Sequence, residues 1–128
     1  MSDETRAILD LAAHNLVASR RDLAAGDGRV SVSRAYYAVF HAANAALNSV
    51  GVQAKSHAGV QALFGERFIR EGLLDREMAR TLNRLMQLRH DADYEVGKMV
   101  TMEQAEDGAE RAAAFVETIE VLLGGPTV

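Results

Sequence analysis

One short stretch of this sequence concentrates its chemistry: Arg89-His90-Asp91-Ala92-Asp93-Tyr94. It closes a run in which Leu74, Met78, Leu82, Leu85, Leu88 and Ala92 share one arc at helical spacing, the face that must turn toward a core. Arg89 projects into the middle of that arc, between the directions of Leu82 and Met78. A guanidinium keeps its proton, so burying it without a partner is strongly unfavourable. Asp93, one turn later on nearly the same line, is the local partner. Two uses follow from this spacing and both stay open. The pair can be structural, fixing the register of the helix. Alternatively, Arg89 is a cation at the floor of a cleft, oriented by Asp93 and aimed at an anion such as a phosphate.

His90 and Tyr94 form a second pair one turn apart, on the side of the arc. Histidine suits proton transfer near neutral pH, whereas a His beside a Tyr also serves as surface or interface filling. Arg76, Arg80 and Arg84 recur every four residues and point away from the core. Like charges at this spacing repel mildly, which hints at an anionic partner. With Asp75, Glu77 and Asp91 close by to neutralise them, an ordinary solvated face is the simpler account.

A second polar set lies earlier in the chain. Val32, Tyr36, Val39, Phe40, Ala43, Ala46 and Leu47 fall on one face of a helix. Tyr37, His41, Asn44 and Asn48 fall opposite, with Ser33 and Arg34 at the start. So few charges here predict a central helix, nearly buried on both sides. Its polar stripe must then meet a cleft, a subunit partner or a hydrogen-bond network. Tyr37 and His41 either satisfy each other or line that cleft.

Missing patterns narrow the chemistry further. There is no phosphate-cradling glycine loop, no Gly-x-Ser-x-Gly elbow and no His-Glu-x-x-His. The four histidines, His14, His41, His57 and His90, are scattered without metal-ligand spacing. The chain has no cysteine, which removes disulfides and thiol chemistry. No metal and no cofactor is expected.

The elements that position these residues are all helical. Apolar repeats predict a first helix from about Asp3 to Ala25, stopped by Gly26-Asp27-Gly28. Ser31 is the expected cap of a second, running to about Ser49 before Gly51. Ser56 opens a third that ends near Gly72, and Asp75 a fourth that runs to about Tyr94. Thr101-Met102-Glu103-Gln104 is a capping-box pattern for a last helix, which ends near Leu123. No segment alternates with period two, so no strand is predicted. Short connections between long amphipathic helices favour an antiparallel up-down bundle of four to five helices.

At 128 residues the chain has the length of one domain, 1–128. Its composition, 48% apolar and 25% charged, is that of a globular protein. No apolar run approaches the roughly 20 residues that span a bilayer, and the acidic start is unlike a signal peptide. A soluble, cytoplasmic protein with no membrane partner is expected. The net charge of −4 argues against a protein that coats nucleic acid by bulk attraction, but leaves room for a small basic cleft.

Three segments together resemble the HEPN superfamily: Ser33-Arg34-Ala35-Tyr36-Tyr37-Ala38-Val39-Phe40-His41-Ala42-Ala43, then Lys55-Ser56-His57-Ala58-Gly59-Val60, then Arg89-His90-Asp91-Ala92-Asp93-Tyr94. The likeness runs from the first helix to the last. It implies a bundle that pairs with a second copy across the motif-bearing helices. Many such proteins are metal-independent endoribonucleases of toxin-antitoxin or defence type, and many are encoded beside a minimal nucleotidyltransferase.

The family signature is an arginine followed after four to six residues by a histidine. Arg89 matches the arginine, but Tyr94 stands where the ribonuclease form has histidine. Arg84 and His90 satisfy a looser spacing, although Arg84 points away from the Arg89 face. The resemblance thus implies Arg89, His90, Asp93 and Tyr94 as catalytic candidates, with Arg84, Tyr37, His41 and Ser33 as binding candidates. The expected partners are RNA, a second copy, and a minimal nucleotidyltransferase or an antitoxin. Tyrosine is a poor base at neutral pH, so His90 or His41 would have to accept the proton. The alternative is a non-catalytic HEPN module that docks a nucleotidyltransferase or binds a nucleotide.

Overall fold

The computed structural model of the chain describes residues 1–94 and 99–124. Among the described residues five α-helices follow one another: α1 (Asp3–Ala24), α2 (Gly28–Ser49), α3 (His57–Phe64), α4 (Arg76–Tyr94) and α5 (Met102–Leu122). There is no strand among the described residues. Most starts are fixed by side-chain caps, at Ser56 and Thr101 as the sequence predicts and at Ser2 in addition. Ser2 accepts from Thr5 N–H, Ser56 from Gly59 N–H, and Thr101 with Gln104 completes a reciprocal capping box.

Two elements differ from expectation. The cap of α2 is Asp27, whose carboxylate accepts from Val30 N–H, so the helix begins at Gly28 rather than after Ser31. Ser31 is instead buried inside the helix. Its hydroxyl donates to the Ser19 carbonyl at 2.8 Å, and the Ser19 hydroxyl donates back to the Ser31 carbonyl at 2.8 Å. A cross-helix bond of that kind is invisible to a local capping rule. The third helix also does not run evenly toward Gly72: after Phe64 it widens into a π-helical turn over Gly65–Ile69, with Arg70 N–H bonded to the Gly65 carbonyl.

The centre of the bundle is α2, which packs against α1, α3, α4 and α5. Ser19 meets Ser31 near one end of the α1–α2 pair, and Thr5 donates to Asn48 near the other, so these helices run antiparallel. Helix α4 likewise runs against α2, bringing Arg89 to Tyr36 and Asp93 to the groove beside Ser33. The start of α5 lies beside the start of α2, where a Cβ on Gly28 would meet Met102 and Ala105. The long helices therefore alternate down the chain as an antiparallel bundle.

Small residues let α2 occupy this position. Ala35, Ala38, Ala42, Ala43, Ala45 and Ala46 are all fully buried, and Val32, Val39 and Leu47 fill the spaces between them. Leu82 and Leu85 of α4 and Phe115, Val116 and Ile119 of α5 close the same cluster. No helix among the described residues is long and apolar enough to cross a membrane.

Candidate functional site: an arginine held between two tyrosines

The site forms where α4 crosses α2 near the beginning of α3. Arg89 reaches back over α2 and lays its guanidinium beside two adjacent rings, with Cζ 5.2 Å from the centre of Tyr36 and 5.3 Å from the centre of Tyr37. The rings stand edge to face, with centres 5.3 Å apart. Each is within the distance at which the negative face of a ring attracts a cation. The Arg89 side chain is 21% exposed, so it is largely withdrawn from water yet reachable.

Asp93 supplies the compensating charge. Its Oδ2 lies 3.3 Å from Arg89 Nε, one turn along the helix. The approach is close enough for an ion pair, but its geometry is not that of a hydrogen bond, and Nε stays buried without a hydrogen-bond partner. The pairing is thus coulombic, and the Asp93 side chain, 36% exposed, keeps contact with solvent.

Tyr36 is completely buried along its apolar face, and its hydroxyl contacts His57 Nδ1 at 2.7 Å. His57 stacks on Phe40, with ring centres 4.2 Å apart. Burial pushes the Tyr36 phenol up to about 12, against the opposing pull of Arg89. Tyr36 therefore stays protonated at neutral pH and is available as a donor. Burial, with Arg89 adding, holds His57 below its ordinary pKa. Burial, with His57 adding, does the same for His41. All these effects favour neutral imidazoles beside a permanent guanidinium.

The residues singled out from sequence divide into groups within one chain. Ser33, Tyr37 and Asp93 come together, lining with Arg29, Val30 and Arg34 an open groove of about 290 Å³. His41 lies farther along α2, its ring centre 6.2 Å from that of Tyr37, and no hydrogen bond joins the two. His90 and Tyr94 lie on the flank of α4 with ring centres 5.2 Å apart, and Tyr94 is 64% exposed. Arg84 shares a shallow depression with His90, Asn83, Met86 and Gln87. The arginine ladder is partly neutralised, since Arg80 pairs with Glu77 at 3.1 Å. Among the described residues, no three His, Asp or Glu side chains gather closely enough to hold a metal ion.

Sequence reasoning passed over two contributors. Tyr36 counted as core by its spacing, and most of its ring is core, yet its hydroxyl and one face belong to the site. His57 counted as one of four scattered histidines. The signal that could have found it is the Lys55-Ser56-His57 segment, which recurs in the resemblance without a role attached.

Comparison with known proteins identifies the family. The family model for the HEPN domain matches residues 5–122. A protein of Methanocaldococcus jannaschii named as a putative toxin is 36% identical over 121 residues, covering 94% of this chain and 90% of that protein. A UPF0332 protein of Thermotoga maritima is 33% identical over 95 residues, covering 73% of this chain and 70% of its own. A UPF0332 protein of Gloeobacter violaceus is 40% identical over 96 residues, covering 73% and 75%.

Proposed function

The chain belongs to the HEPN family, and on that footing we propose that it is a metal-independent endoribonuclease of toxin type, acting as a homodimer around the groove at Arg89. The observation that carries this reading is the guanidinium held beside Tyr36 and Tyr37, two of whose neighbours, Tyr37 and Asp93, line the groove, and balanced among the described residues by the partly solvated Asp93 carboxylate. A phosphate that passed Tyr37 and Asp93 to reach the guanidinium would meet a cation whose position is already set, which is the arrangement that stabilises charge developing in a transition state. The relative named as a putative toxin supports the toxin role, and a toxin of this kind would be held in check by a cognate antitoxin.

In the reaction, the ribose 2′-oxygen forms a bond to the adjacent phosphorus while the bond to the 5′-oxygen breaks. The products are a 2′,3′-cyclic phosphate and a 5′-hydroxyl. One proton leaves the 2′-hydroxyl and one arrives at the 5′-oxygen. Within one chain His90 lies on the flank of α4, whereas Arg89 faces α2. A second copy laid across the groove would bring its own His90 and Tyr94 toward this Arg89. That incoming His90 would accept the proton of the 2′-hydroxyl and return a proton to the 5′-oxygen, with Tyr94 donating a hydrogen bond.

Incubating purified protein with single-stranded and structured RNA in EDTA, with the product ends identified, tests this reading. Cyclic phosphate ends, lost in Arg89→Ala protein that remains folded, are expected, together with a solution mass of two chains. An inert wild-type protein, or cleavage untouched by Arg89→Ala, removes it.

A second reading rests on Tyr94, which occupies the place of the ribonuclease histidine and is exposed. There the chain is a non-catalytic module that docks a minimal nucleotidyltransferase or binds a nucleotide. Stable co-purification with such a partner, without RNA cleavage, would favour it.

A further inference from the structure

Three observations converge on His57, which the reaction above does not use. Its Nδ1 lies 2.7 Å from the Tyr36 hydroxyl. Its ring is stacked at 4.2 Å on Phe40, which restricts rotation. Tyr36, the residue that holds it, is the same residue that receives the Arg89 guanidinium. A buried phenol needs an acceptor for its proton. Among the described residues, the group within hydrogen-bond distance of the Tyr36 hydroxyl is His57 Nδ1, which accepts when its ring carries the proton on Nε2. When the phenol donates to Nδ1, the neutral imidazole must carry its own proton on Nε2. The result is an N–H donor of fixed tautomer on a half-buried ring, one side chain removed from a fixed guanidinium.

We propose that His57 is a phosphate-contacting residue of the Arg89 site, donating from Nε2 to a phosphoryl oxygen, with Tyr36 as the residue that positions it. The inference deepens the reading of the groove as an RNA site and rests on it. Arg89 supplies the charge and His57 a directional donor, so the phosphate is oriented as well as attracted. The depressed pKa of His57 serves this role, because a neutral ring keeps one defined donor rather than two. Tyr36 therefore has two tasks, placing a cation through its ring and a tautomer through its hydroxyl.

The test uses full-length protein and a short 2′-O-methyl RNA, which keeps its phosphates but lacks the attacking hydroxyl. Binding is read by fluorescence anisotropy for wild type, His57→Ala, His57→Gln, Tyr36→Phe and Arg89→Met. Long-range nitrogen NMR of the ligand-free wild type and Tyr36→Phe proteins reads the tautomer independently. His57→Ala should weaken binding roughly tenfold, the loss of one hydrogen bond to a charged group. His57→Gln, whose amide nitrogen can stand near the Nε2 position, should bind close to wild type. Tyr36→Phe should fall between them and show mixed tautomers where wild type shows Nε2–H alone.

A His57→Ala protein that binds like wild type, while Arg89→Met is weakened, overturns the inference and leaves the groove reading intact. An Nδ1–H tautomer in wild type overturns it without any ligand. Binding unaffected by Arg89→Met, or no binding by wild type, overturns the reading of the groove and this inference with it.

Discussion

Replacing Arg89 with Met and Tyr37 with Leu, singly and together, measures whether the guanidinium is held by the ring in solution. Arg89 Cζ lies 5.3 Å from the Tyr37 centre, on a side chain 21% exposed. Cation–ring attraction amounts to about 0.5–1 kcal/mol at exposed sites and about 2 kcal/mol when desolvated. This site lies between those limits, so about 1 kcal/mol is expected for the pair. The ion pair with Asp93 adds at most a fraction of this, because the carboxylate is 36% exposed and screened by water. It is lost in both Arg89→Met corners and cancels from the cycle, as does the contact of Tyr37 with Tyr36. Urea unfolding of the four proteins gives the coupling directly. Met keeps the apolar stem of Arg89 in place, so the single variant should stay folded. A coupling below about 0.3 kcal/mol, within the additivity of independent sites, would refute the clamp.

Other perturbations follow from the same structure. Thr101→Ala removes half of the capping box of α5 and should cost about 1 kcal/mol in urea unfolding while leaving RNA binding unchanged. Ser19→Ala removes a buried donor to α2 and should cost about 0.5–1.5 kcal/mol; an unchanged midpoint would mean that the serine exchange contributes nothing to the α1–α2 pairing. Stability should also fall on acidification. His41 and His57 have folded pKa values below their reference of 6.5, so the unfolded chain takes up protons that the folded one resists. Their contribution is complete above about pH 6.5 and is lost as pH drops from there toward the lowered folded values. The urea midpoint should decline over that range, and His41→Gln combined with His57→Gln should flatten the decline; an identical slope in the double variant would contradict the assignment.

Much of the fold was legible because it rests on local rules. Ser56 and Thr101 cap where side-chain chemistry says they should. The buried arc from Met78 to Ala92 follows from helical periodicity alone. Asp27 shows where such rules run out: both Asp27 and Ser31 are suitable caps, and the choice is made by a bond between Ser31 and Ser19 on another helix. The π-helical turn after Phe64 opens on Gly65, and a single glycine inside a helical pattern does not say that the helix will widen rather than continue.

The site divides in the same way. Arg89 and Asp93 could be paired from their spacing on one helix. The rings that receive the guanidinium lie on a different helix, and His57 on a third. Spacing within a segment carries no information about such contacts. They depend on how α4 crosses α2, which the alanines of α2 decide by how closely they let its neighbours approach.

The central claim is that Arg89 is a phosphate-binding cation rather than a structural one. The most direct measurement is the single-turnover cleavage rate of a labelled RNA in EDTA, wild type against Arg89→Met, with unfolding midpoints recorded on the same preparations. A rate lower by about a hundred- to a thousandfold in a protein of comparable stability is the predicted result, the effect of removing one preorganised charge donor. Equal rates in two folded proteins would contradict it.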